Sequence, residues 1–62
     1  MTMTKATKKI IEKYNEWKKE DCIVREHIHE DYDDIVCYFN NFDDMIAIRR
    51  DENGNIIEAY EE

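Results

Sequence analysis

Few residues in this sequence have the types and spacing that chemistry requires. His27 and His29 stand two apart, so on a strand they project to one side about 6.6 Å from each other. That spacing suits a zinc ion, with Glu30, Asp31 or Asp33 able to complete the set. A zinc site also needs partners that fix each imidazole, and two histidines beside an acidic loop read more simply as solvated side chains. Asp51, Asn53, Asn55 and Glu62 occupy the first, third, fifth and twelfth places of a calcium loop. The sixth place holds Ile56 where that loop needs glycine, and the flanks read as strands instead of helices.

Catalysis has equally little to build on. The adjacent carboxylates Asp33 and Asp34, or Asp43 and Asp44, would point to opposite sides of a strand, and a chain of 62 residues offers no deep pocket in which to tune them. There is no serine and no glycine-rich phosphate loop. Cys22 and Cys37 lack a third group that would orient a cysteine–histidine pair. They carry no CxxC spacing and read as free, buried thiols, with a disulfide open only if their strands are neighbours. The expectation is a binding protein, not an enzyme, with no cofactor and no metal.

The elements that must position these residues follow from periodicity. Ala6, Ile10, Ile11, Tyr14 and Trp17 recur at intervals of three and four, which predicts one amphipathic helix over about 4–19 with lysines on its other face. Thr4 or Thr2 would cap its start, and Lys18 and Lys19 suit the negative end of its dipole. β-Branched and alternating runs then predict strands over about 22–29, 35–40, 45–50 and 56–60. Asn53-Gly54 marks a tight hairpin turn with positive φ at its centre. NNFDD marks another turn, with Phe42 folding back over the core. The predicted fold class is α+β: a single domain, 1–62, in which an N-terminal amphipathic helix packs on a three- or four-stranded antiparallel β-meander.

So short a chain builds one small core. With 42% hydrophobic residues and no proline, it has the means to fold despite 40% charged residues. Val36, Tyr38, Phe39, Phe42 and Tyr60 exceed what one helix can cover, so they are expected to form the interface of a homodimer. The N-terminal stretch has no apolar run of signal-peptide or membrane-span length, which predicts a cytoplasmic location.

Charge is the strongest functional signal. Residues 1–19 hold six lysines and two glutamates, for +4; residues 20–62 hold three arginines and fourteen acids, for −11, making −7 for the whole chain. Arg49 and Arg50 stand apart from the other basic residues, and the net charge repels phosphate, so direct nucleic-acid binding is disfavoured. The acids cluster as Glu30, Asp31, Asp33 and Asp34, then Asp43 and Asp44, then Asp51 and Glu52, at the three connections between strands. In a meander the first and third clusters fall at one end of the sheet and the second at the other. Carboxylates two apart on a strand lie about 6.6 Å apart, near twice the rise per phosphate of one DNA strand, so such rows imitate a phosphate backbone.

In length, acidity, aromatic content and lack of catalytic motifs, the sequence resembles the small acidic inhibitor proteins that bacterial viruses make early in infection, DNA mimics among them. The resemblance implies a cytoplasmic protein of the bacterial host cell whose partner is a basic nucleic-acid-binding protein, such as a histone-like nucleoid protein. The eight clustered acids would then be the partner-binding residues. The alternative is a small adaptor module that uses the helix face or a strand edge, with acidity serving solubility.

Overall fold

A computed structural model describes residues 4–61. In chain order they form β1 (Thr4–Lys5), α1 (Thr7–Lys19), β2 (Ile23–Ile28), β3 (Ile35–Asn40), β4 (Met45–Arg50) and β5 (Ile56–Glu61). The strands make one sheet in the order β1-β5-β4-β3-β2, antiparallel throughout. β2 to β5 are the expected meander, with the helix on one face. No helix among the described residues is long and apolar enough to cross a membrane.

The helix starts later than its periodicity implies. Ala6 takes φ −144°, which breaks helical continuity, and residues 4 and 5 pair instead with β5, opposite Glu61 and Tyr60. Thr4 is therefore not the cap; Ala6 holds that place without a side-chain bond, and Thr2 lies outside the described residues. At the other end the chain leaves the helix through Asp21 at φ 54°. The Cys22 amide donates to the Trp17 carbonyl and the Asp21 amide to Lys18, which is the Schellman pattern with aspartate where glycine is usual.

Ile10, Tyr14 and Trp17 form the buried stripe of α1 and pack on Tyr38, Ile46, Ile48 and Ala59. Ile46, Ile48 and Ala59 are fully buried, so this layer carries most of the hydrophobic stabilisation. The second face of the sheet has no helix. Ile35, Cys37 and Ala47 are nonetheless buried there, shielded by Phe39, Met45 and Tyr60 around them. Cys22 packs on the helix side and Cys37 on the other, so the sheet separates the two cysteines.

Two bulges set which side chains reach which face. Between Ile23 and Arg25 the β2–β3 register shifts, so Ile23 and Val24 both lie toward the helix face while Arg25 and His27 lie on the open face. The shift between Arg49 and Arg50 leaves Ile57 as the extra residue of β5.

Candidate functional site

Both hairpin turns are built on one plan. In the first, the Asp43 amide donates to the Asn40 carbonyl, and the Asn40 amide to Asp44; in the second, Gly54 donates to Asp51, and Asp51 to Asn55. Each is a three-residue loop whose last residue is left-handed, Asp43 at φ 65° and Gly54 at φ 87°. In each, the leading side chain accepts two further amides through Oδ1: Phe42 and Asp44 on Asn40, Asn53 and Asn55 on Asp51. Asn53 does not share the positive φ expected of it, because the Asp51 carboxylate closes a wider loop than a two-residue turn. The bond from Asn55, and then that from Asn53, outweigh partial desolvation and hold the Asp51 carboxyl below the usual carboxylate range.

In this plan Asp51 Oδ1 accepts the Asn53 and Asn55 amides and Oδ2 faces Asn55 Nδ2, in a hairpin between strands and not the helix-flanked loop of a calcium site; Glu62 lies outside the described residues. The same bonds at Asn40 keep Phe42 at the tip of its turn, 80% exposed, so it does not fold back on the core.

The second turn meets the β2–β3 connection in an open cleft of about 650 Å³. Asp33, Asp34, Asp51 and Glu52 form its walls, with Val36, Ile57 and Arg50 between them. The backbone joins the two segments where the Arg50 amide donates to the Asp34 carbonyl at 3.2 Å. The first and third acidic clusters thus converge, and Asp43 and Asp44 lie at the opposite end of the sheet.

The eight acids differ in what they touch. Asp34 lies 3.0 Å from Arg49 Nε, an ion pair without the alignment of a hydrogen bond. Asp43 pairs with Arg25 at 3.4 Å, and Asp44 accepts from Asn40 Nδ2. Asp51 is enclosed by its turn. Glu30, Asp31, Asp33 and Glu52 hold no ion pair among the described residues. Glu30 does not line the cleft; it borders a groove on the open face, with His27, His29, Cys37, Phe39 and Met45.

His27 stacks on Phe39, and His29 Nδ1 accepts the Asp31 amide at 3.0 Å. No group of three or more His, Cys, Asp or Glu able to hold a metal occurs among the described residues.

The two arginines take opposite faces, as adjacent strand residues must. Arg49 donates to Glu58 at 2.8 Å on the open face, and that bond raises its pKa against the cost of desolvation. Arg50 turns to the helix side and donates to the hydroxyls of Tyr38 and Tyr14 at 2.8 and 3.1 Å. Burial lowers its pKa, the two hydroxyl bonds outweigh it, and the guanidinium stays charged. Burial, followed by the neighbouring Tyr14, pushes the Tyr38 phenol up. This clasp joins α1, β3 and β4 beside the cleft. The sequence holds a signal for it, two adjacent arginines ending an apolar strand, although nothing in the spacing names Tyr14 as a partner.

The five residues expected at a dimer interface do not share a surface. Tyr38 is buried under the helix with Val36 beside it, Phe39 and Tyr60 lie on the opposite face, and Phe42 stands at a turn tip. The alternation of β3 is the reason, since it sends 36 and 38 one way and 39 the other.

Comparison with protein families, curated proteins and solved structures finds no match.

Proposed function

We propose that this protein acts by binding, and that its acidic cleft docks on the basic surface of a nucleic-acid-binding protein in competition with DNA. The observation that carries this reading is the convergence of two loops, far apart in sequence, around half-buried Val36 and exposed Ile57. Apolar contact area within a charged rim is how protein interfaces are commonly arranged. Of the four acids on the rim, Asp34 is paired with Arg49 and Asp51 is held by its turn, while Asp33 and Glu52 keep their charge available, so the field of the rim attracts a cationic partner and steers its approach.

The reading narrows the set of acids. Asp33 and Glu52 border the cleft and hold no ion pair, and Glu30 and Asp31 add charge from the same connection. Asp43 and Asp44 belong to the far turn, and two copies are not needed to bring the first and third clusters together.

The experiment is displacement of a labelled DNA duplex from a bacterial histone-like nucleoid protein, at low and high salt. The chain should release the duplex at low salt and lose that effect as ionic strength rises, because carboxylates take the place of phosphates. If no duplex is released from this or other basic DNA-binding proteins at any salt concentration, competition with DNA is wrong.

A further inference from the structure

Among the described residues β2 is the last strand of the sheet and pairs only with β3. Five of its six residues are exposed, among them Val24 at 65% and Ile28 at 62%. We propose that this edge takes an extended segment of a partner protein as a sixth strand, and that the segment it selects reads apolar, acidic, basic, acidic, apolar.

The backbone supplies the first part of the argument. His29 donates its amide to the Ile35 carbonyl at 2.8 Å, and the register is constant from Arg25 opposite Phe39 to Ile28 opposite Val36. In an antiparallel ladder, hydrogen-bonded positions alternate, so residues 25, 27 and 29 turn toward β3. The N–H and C=O groups of Glu26 and Ile28 therefore point away from the sheet. An added strand satisfies such groups directly.

The side chains supply the second part. Val24, Glu26 and Ile28 share the helix face, where α1 does not cover them, so an incoming strand meets apolar, acidic and apolar positions in turn. On the open face stand Arg25 and His27, both placed by Phe39. The Arg25 guanidinium lies 4.2 Å from the Phe39 ring centre, and the His27 ring stacks at 5.3 Å. Arg25 also touches Asp43, but both side chains are largely exposed, and the guanidinium keeps donors to spare. A complementary strand places carboxylates opposite Arg25 and His27, and a cation opposite Glu26.

A second copy of this chain does not meet that requirement. Two β2 strands paired about an axis normal to the sheet keep their faces, so one residue always opposes its own copy. Centred on Arg25 or Glu26, the pairing sets like charges against each other, and centred on Ile28 it sets Glu26 against the Glu30 of the copy; centred on His27, it leaves Glu26 opposite Ile28 and Arg25 opposite His29, with no carboxylate–cation pair. Like charges directly opposite are destabilising. The bulge at Ile23 to Arg25 further twists the edge away from flat self-pairing.

The test uses the whole chain, labelled with nitrogen-15, and two synthetic peptides of equal composition class. One carries valine, glutamate, lysine, glutamate and isoleucine between terminal threonines; the other has its charges reversed, with lysines flanking a glutamate. The first should saturate the chain, shift the Glu26 and Ile28 amides and slow their exchange. The reversed peptide should bind about tenfold more weakly, since the cross-strand pairs at Arg25 and Glu26 change sign. The variant Arg25→Glu, Glu26→Lys, His27→Glu should prefer the reversed peptide, and unchanged Ile10 and Tyr14 amides verify that it is folded. No saturation by the first peptide at millimolar concentration, or equal binding of both peptides by the native chain, overturns the proposal. The acidic cleft is untouched in every arm, so this outcome is independent of the duplex displacement.

Discussion

The turns at 40–44 and 51–55 share every backbone hydrogen bond, yet they stand in opposite relations to charge. At 40–44 the leading residue is neutral Asn40, 6% exposed, and the left-handed place is filled by Asp43, whose carboxylate pairs with Arg25. At 51–55 the leading residue is a carboxylate, glycine takes the left-handed place, and Glu52 is left facing the cleft. Two acids in a turn are therefore not equivalent to two acids on a binding surface. What a carboxylate can offer a partner depends on what its own turn already asks of it.

Asn40→Ala should break the first turn most severely. It removes buried Asn40 Oδ1, the acceptor of the Phe42 and Asp44 amides, and chemical denaturation should show a loss of about 2 kcal/mol. At Gly54 an added Cβ meets no atom within 4 Å, so Gly54→Ala isolates the backbone term. The expected cost is about 1 kcal/mol, read as a lower thermal midpoint.

Asp43→Gly is the mirror experiment and should stabilise by about 0.5 kcal/mol. It relieves the left-handed aspartate at the expense of an exposed ion pair that contributes little.

The smallest effect separates the turns by pH. The Asp51 carboxyl titrates lower in the folded chain than in the unfolded one, so its contribution is complete above about pH 4 and disappears as pH falls through the folded value. The stability gap between the native chain and Asp51→Asn should therefore narrow on acidification below that point. The gap for Asn40→Ala, which involves no titrating group at the leading position, should not follow the same course. Parallel denaturation curves between pH 7 and pH 2 measure both.

The elements that bury large apolar side chains were legible in the sequence. The stripe of Ile10, Tyr14 and Trp17 fixes the helix, and the apolar runs of β3, β4 and β5 fix the meander, because burial imposes one period on each. Residues 4 and 5 were misread because two residues carry no period, and their strand exists only where β5 offers an edge. The bulges at Val24 and Ile57 were hidden for a related reason, since a register shift is a property of two strands together. The convergence of the first and third acidic clusters followed from meander topology alone. Which acids are engaged did not, as the contacts of Asp34 with Arg49 and Asp43 with Arg25 join positions 15 and 18 apart in the chain. The set Val36, Tyr38, Phe39, Phe42 and Tyr60 failed as a single surface because total apolar area says nothing about which face each side chain takes.

The most direct test of the central claim compares two variants of equal net charge. Asp33→Asn with Glu52→Gln neutralises two unpaired acids at the cleft, and Asp43→Asn with Asp44→Asn neutralises two at the far turn, so each chain carries −5 in place of −7. Displacement of labelled duplex from a histone-like nucleoid protein is then measured for both at low salt. If placement decides binding, the cleft variant should need about tenfold more protein for half-displacement, a loss of roughly 1.4 kcal/mol, while the turn variant stays near the native chain. Equal weakening of the two variants would show that only the total charge matters and would contradict the account.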